Sequence, residues 1–348
     1  MKIKGKRLFY NAFLNICLLF FIGCGDSGPL QASADEQINE QAKPSSVGAN
    51  TASFDEKIAD ETQYKMAFIL FTLETDPVEL IEKRVNDLTI VKRNFSTRFN
   101  YATLDYAFMD TSYDVIPLQI KSEEIEEITC NTTFFQKFYE VHPDDFDFIS
   151  IFHDGTSSDR MYHQNIKNKI EGIGLSEFDF SKSYGSNGKL SGINVIPYIP
   201  STVEEMDILS MNALLHETGH QWGIYIGDNF KNDTNATLEI KQQGIHFYRG
   251  LESPYLTGTP MGSDRWVSNG DGTYRRENLQ NTPQKYHPIQ LYLMGILNSE
   301  NFDFNTKFKI FNTGGGDSDM PFNPENAVLY KEISINDIID VEGERGYF

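Results

Sequence analysis

The chain runs to 348 residues and carries 50 acidic against 30 basic side chains, a formal net charge of −20. Its 39 % hydrophobic and 13 % aromatic content supplies ample core material and excludes wholesale disorder. An acidic surface repels phosphate backbones, and no basic run follows Arg7, so no nucleic-acid partner is expected. Cysteines at 17, 24 and 130 are too few for a disulfide scaffold.

Lys2, Lys4, Lys6 and Arg7 precede an apolar run from Leu8 to Ile22, broken only by Asn11 and Asn15. A membrane span needs about 20 apolar residues, so the run fits the core of an export signal instead. It ends in Phe21-Ile22-Gly23-Cys24, which resembles the lipobox of bacterial lipoproteins, with Phe21 where Leu is usual. The resemblance implies that 1–23 is a removed signal peptide and that Cys24 bears lipid. The protein would then be exported and held in the bacterial cell envelope, contacting membrane through that lipid. Loss of 1–23 leaves 26 basic against 50 acidic residues, or −24. Cys130 would have no intramolecular partner and reads as a small buried apolar residue. Residues 24–62 lack hydrophobic periodicity and read as a flexible tether.

Lys65–Leu73 is an apolar run of strand length. Thr75-Asp76-Pro77 marks a helix start, after which Val78, Ile81, Val85, Leu88, Phe95 and Phe99 recur at helical spacing and are expected in the core. Two strands are expected across 101–120, a short helix near 132–140, a buried strand at Asp145–Phe152, a loop at Tyr184–Ser191 and a strand at Gly192–Tyr198. Ser201 to Glu204 has capping-box spacing and opens the next helix. Asn269 to Gly272 predicts a tight hairpin turn, Pro288–Leu297 a short amphipathic helix, and Ser334 to Asp337 the cap of another. This order gives an α/β (α+β) class with a mixed sheet.

The helix from Ser201 runs into His216-Glu217-x-x-His220. Residues four apart on a helix stack on one face, so two imidazoles can grip one cation, while Glu217 can take a proton from a zinc-activated water. Gly219 and Gly223 are poor helix formers and suit a helix pressed against its neighbours. A third ligand is required and is not handed over cleanly. The metzincin spacing is met at Gly223, but the ligand position three further on is Ile226, which cannot bind zinc. Asp228 is two residues late, Glu239 lacks a clear second helix, and His246 and His287 remain open.

From about 145 to 340 the chain is similar to a group of secreted bacterial zincin-type, metzincin-like metallopeptidases, largely uncharacterised. The pieces are Ile170–Gly174, Tyr184–Ser186, Leu190–Gly192, His216–Trp222, His246-Phe247 (His-Trp in the group), Met261-Gly262, Trp266–Tyr274 and Leu291–Gly295. The resemblance implies His246 as third ligand to Zn2+ beside His216 and His220. It further implies Met261 as a Met-turn beneath the metal, for which ordinary core packing is the alternative. The implied fold is zincin-like over 63–348. A lobe at 63–223 would carry the buried active-site helix, and a C-terminal lobe at 224–348 would complete the cleft. The expected activity is a zinc-dependent endopeptidase acting on protein or peptide substrates, with Glu217 as general base. Tyr255, Tyr248 and His287 stand as possible transition-state stabilisers, and the chain is expected to be a monomer. The alternative from another class is a surface binding lipoprotein that keeps the fold without catalysis.

Overall fold

The computed structural model describes residues 62–120, 131–154, 161–202, 205–206, 210–223, 250–277, 282–312 and 324–346. The signal segment, Cys24, the tether to residue 61, Cys130, Ile226, Asp228, Glu239, His246 and Tyr248 lie outside them. The fold is mixed α/β and is centred on a mixed sheet.

The apolar run opens the sheet as β1 (Thr62–Leu73). An unbroken apolar run suits a strand covered on both faces. Met66, Phe68 and Leu70 enter one core while Ala67, Ile69 and Phe71 enter another, the alternation a strand imposes. Asp76 accepts from the Leu73 backbone N–H at 3.0 Å and turns the chain out of β1. Helix α1 (Val78–Ala102) then starts after Pro77 with no side-chain cap. Its buried stripe is Leu88, Val91, Lys92, Phe95, Phe99 and Ala102. Val78, expected in that stripe, is 65 % exposed because the first turns overhang the core. The Lys92 ammonium is satisfied by the Tyr113 carbonyl at 2.6 Å.

Strands β2 (Ala107–Asp110) and β3 (Ile116–Ile120) share the outer edge of β1, one pairing with its start and the other with its end. Helix α2 (Thr132–Val141), capped by Asn131, buries Phe135 and Phe138 in the second core. On the inner side of β1, β4 (Phe148–Phe152) and β8 (Gly192–Ile196) continue the sheet in parallel. The edge strand β5 (Tyr162–Asn165) runs antiparallel to β8. A two-strand ribbon, β6 (Lys167–Asn168) and β7 (Phe178–Asp179), precedes a single 3-10 turn at Ser181–Tyr184.

The capping box after β8 sits one residue later than expected. Thr202 Oγ accepts from the Glu205 N–H at 3.2 Å, and Glu205 accepts from the Thr202 N–H at 3.0 Å. The motif-bearing helix α3 is described over Ser210–Gly223 and packs on α1, β5 and β8.

A second sheet follows, in the order β11-β12-β10-β9. Strands β9 (Trp266–Ser268) and β10 (Thr273–Arg276) form the expected hairpin, with Gly270 and Gly272 at φ +86° and +91°. Strands β11 (Phe308–Asn312) and β12 (Ala327–Ile333) pair antiparallel beside it. Helix α4 (Pro288–Leu293) is not amphipathic: every one of its residues is buried, since it packs on α3 within the main core. Helix α5 (Ile335–Glu342) starts at Ser334, whose hydroxyl accepts from the Asp337 N–H while Asp337 accepts in return. The main core draws on both sides of residue 223, from Met66 to Ile338.

Candidate metal centre

Helix α3 presents His216 and His220 one turn apart, their Nε2 atoms facing each other at 3.1 Å. The rings lie nearly perpendicular, with centroids 4.6 Å apart. Two nitrogens each about 2.0–2.1 Å from one zinc ion at a tetrahedral angle lie about 3.3 Å apart, so the observed spacing suits a shared ion. His216 Nδ1 is 2.7 Å from the Pro260 carbonyl, which fixes the proton on Nδ1 and turns the Nε2 lone pair toward His220. With His220 protonated at Nδ1, both Nε2 lone pairs face one point, an arrangement a cation would meet. With Glu217, these atoms all lie within 4.8 Å of one another, and no further His, Cys, Asp or Glu joins the group among the described residues.

Glu217 is 2 % exposed, and its Oε2 has no hydrogen-bond partner. Burial pushes its carboxyl up to about 8. A cation at the facing histidines would act in the opposite sense and favour the carboxylate. The donor set and the unmatched carboxylate oxygen both fit a divalent metal.

The carbonyl that holds His216 comes from a tight turn, Thr259–Gly262, closed by the Gly262 N–H to the Thr259 carbonyl at 2.9 Å. Gly262 takes φ +95° there. The same turn lays Met261 against Gly219, and a Cβ on that glycine would stand 2.6 Å from the Met261 sulfur. Gly219 is therefore required by close approach. Met261 is buried against the helix that carries the histidines.

A polar row supports the helix from below. Ser150 on β4, Asn194 on β8 and His163 on β5 occupy one register row across the sheet. Asn194 Nδ2 bonds Ser150 Oγ at 3.0 Å and Thr218 Oγ on α3 at 3.1 Å. His163 meets Asn194 Oδ1 at 2.7 Å and Gln221 Oε1 at 3.0 Å, and Gln221 donates to the Lys167 carbonyl at 2.9 Å. Burial holds the His163 pKa down, with its amide partners acting against that. Thr218 and Gln221 flank the histidines in sequence, so the row fixes the rotation of α3 on the sheet. Sequence reading missed this row. Its signal was a single polar residue inside each of two apolar runs, Phe-Ile-Ser-Ile-Phe and Gly-Ile-Asn-Val-Ile.

Tyr255 and His287 occupy other posts. The Tyr255 hydroxyl donates to the Tyr286 carbonyl at 3.0 Å, and the Tyr286 hydroxyl donates to the Leu215 carbonyl of α3 at 2.6 Å. His287 is fully buried and caps α4: Nδ1 accepts from the Ile289 N–H at 3.1 Å and Nε2 donates to the Glu252 carbonyl at 3.1 Å. Both of its ring nitrogens are engaged within the scaffold. Tyr198, not singled out in the sequence, follows β8. Its hydroxyl pKa is raised by burial and further by the Glu205 and Glu217 charges.

No family model matches the chain. No curated protein matches it either. A chain from a solved structure described as "Structure of a chaperone-substrate complex" is similar at 14 % identity over 68 % of this chain, with a TM-score of 0.32. This chain spans about a third (35 %) of that chain's length, and a likeness this low carries no argument.

Proposed function

We propose that the chain is a zinc-dependent peptide hydrolase of zincin type, tethered to the bacterial envelope by lipid at Cys24. The observation that carries the reading is a buried carboxylate oxygen without a partner, Glu217 Oε2, one residue from two imidazoles that converge on one point. His216 and His220 would hold the ion through Nε2, and His246 is the third ligand that the family resemblance implies. When bound, such an ion polarises a substrate carbonyl and makes water acidic enough to attack it near neutral pH. Glu217 accepts the proton of the attacking water and returns it to the leaving amine, a role that needs the unoccupied lone pairs of Oε2. The Pro260 carbonyl keeps His216 in its tautomer, and the Ser150–Asn194–His163 row keeps α3 from rotating.

The test compares the protein with its Glu217→Gln variant, both loaded with zinc, on a complex peptide mixture whose new N-termini are read by mass spectrometry. Gln keeps the shape but cannot take a proton, so cleavage is expected to fall by about 10²–10⁴-fold with zinc content unchanged. Undiminished cleavage by the variant would overturn the role of Glu217. A wild type that binds zinc and cleaves nothing would favour the binding-lipoprotein alternative.

A further inference from the structure

Gly219 leaves a gap in the surface of α3 one turn after Leu215, and two side chains close on it. A Cβ there would stand 2.6 Å from the Met261 sulfur and 3.1 Å from Cε1 of Tyr286. The gap lets the Tyr286 ring approach the helix closely, and its hydroxyl donates to the Leu215 carbonyl at 2.6 Å. Inside a helix that carbonyl already accepts from the N–H four residues on, which belongs to Gly219. The Tyr286 bond is therefore an addition, made to the second lone pair of an oxygen the helix has already satisfied.

Tyr286 is itself firmly held. It is fully buried, and its ring meets Phe99 of α1 edge-on with centroids 6.4 Å apart. Its N–H donates to the Ala102 carbonyl at 2.9 Å, and its carbonyl accepts from the Tyr255 hydroxyl at 3.0 Å. Burial raises its hydroxyl pKa well above the ordinary 10, so the group remains a donor wherever the protein is folded.

The Leu215 carbonyl belongs to the peptide that joins Leu215 to His216. Holding its oxygen fixes the plane from which the His216 side chain projects. The ring of the same residue is held at Nδ1 by the Pro260 carbonyl, 2.7 Å away. Backbone and ring of His216 are thus anchored from outside the helix by two separate segments, which share the gap at Gly219. The Nε2 atoms of His216 and His220 then stand 3.1 Å apart, close to the span that two ligands of one zinc ion need. Zinc–ligand distances tolerate about 0.2 Å, and a ring nitrogen sits at the end of a lever several bonds long, so slight rocking of that peptide exceeds the tolerance.

We propose that Tyr286 is a positioning residue for the metal centre: through the Leu215 carbonyl it fixes the peptide that carries His216 and presets the spacing of the two imidazoles. The inference rests on the zinc reading, and its test reads metal affinity and geometry, with no cleavage required.

Zinc affinity is measured at pH 7 for the wild type, Tyr286→Phe and Ser334→Ala by competition with a chromophoric chelator. Each is then loaded with cobalt as a coloured substitute. Tyr286→Phe keeps the ring and strands no helix group, so it is expected to fold, with a melting temperature lower by about 2–4 °C. Ser334→Ala removes the cap of α5 and should lower the melting temperature by a similar amount, about 2–4 °C. Zinc should bind about tenfold more weakly to Tyr286→Phe and unchanged to Ser334→Ala. The cobalt absorption bands should shift in the first and superimpose on the wild type in the second. Equal affinity of wild type and Tyr286→Phe, or an equal loss in both variants, would overturn the proposal and leave the zinc reading standing. A wild type that takes up neither metal would sink the zinc reading and this inference with it. Should Tyr286→Phe not fold, Tyr255→Phe decides, since it releases the Tyr286 carbonyl and leaves the Tyr286 hydroxyl in place. Weaker zinc binding is expected there, and unchanged binding would overturn the proposal.

Discussion

Replacement of His287 by Asn separates a structural histidine from a catalytic one. In the fold this imidazole is fully buried, and burial holds its pKa down to about 3, against the ordinary 6.5, despite the bond to the Glu252 carbonyl. Its neutral form is required, because Nδ1 must accept from the Ile289 N–H. Between pH 6.5 and about 3 the unfolded chain takes up a proton that the fold refuses. The stability contributed is therefore complete above 6.5 and is lost as pH falls, at about 1.4 kcal/mol per pH unit. That is a loss of about 2 kcal/mol by pH 5, and no more than about 5 kcal/mol near pH 3.

Asn retains an oxygen that can cap Ile289 but does not titrate, and it gives up the bond to Glu252, worth about 1 kcal/mol. Wild type should then be the more stable by about 1 kcal/mol at pH 7 and the less stable by about 1 kcal/mol at pH 5. Urea unfolding of both proteins at the two pH values, followed by tryptophan fluorescence, measures this crossing. The other histidines are common to both proteins and cancel in the difference. An equal stability gap at the two pH values would refute the reasoning. If the variant instead kept its stability at both and lost hydrolysis, His287 would belong to the chemistry after all.

Three further substitutions probe the seating of α3. Gly192→Ala would place a Cβ 2.3 Å from the His163 ring and 2.7 Å from Gln221 Oε1, so overpacking should cost about 1–3 kcal/mol in urea unfolding. Asn194→Leu strands Ser150, Thr218 and His163, and should cost about 2–4 kcal/mol and shrink the rise in melting temperature expected on adding zinc. Gly219→Ala gains about 1 kcal/mol of helix propensity but drives into the Met261 sulfur, so a net loss of about 1 kcal/mol is expected, together with weaker zinc binding by titration because the turn carrying Pro260 must move.

The parts of the fold legible in the sequence were those whose pattern is enforced by burial. Lys65–Leu73, Asp145–Phe152 and Gly192–Tyr198 contain β1, β4 and β8, the centre of the sheet, and are mostly apolar there because parallel strands covered on both faces bury nearly every side chain; the two end ranges run past the strands, which begin at Phe148 and end at Ile196. The edge strand β5 carried no such mark. Tyr-His-Gln-Asn pairs on one side only, so its side chains answer to their partners rather than to a hydrophobic period. The α4 segment, expected to be amphipathic, misled for the opposite reason: its polar Gln290 completes the His287 cap inside the core. Capping at Thr202 and Glu205 slipped by one residue because Ser201 and Thr202 offer equivalent hydroxyls.

At the candidate metal centre, the motif gave the two facing histidines and their spacing but not what holds them. His216-x-x-x-His220 is local, and helix geometry alone converts four residues of sequence into one face. The supports are not local. Pro260 lies 44 residues from His216, and Asn194 lies 31 residues from His163; both contacts follow from strand register and one turn. Yet each support left a trace at its own position. A lone Ser and a lone Asn within apolar strands are expensive to bury unless they are paired, so each called for a partner, which here is the other of the pair and, for Asn194, Thr218 on α3. Gly219 within a helix implied close approach, and Met261 occupies that space. Buried polar residues and helix glycines are thus where this sequence announces the shell around its paired histidines.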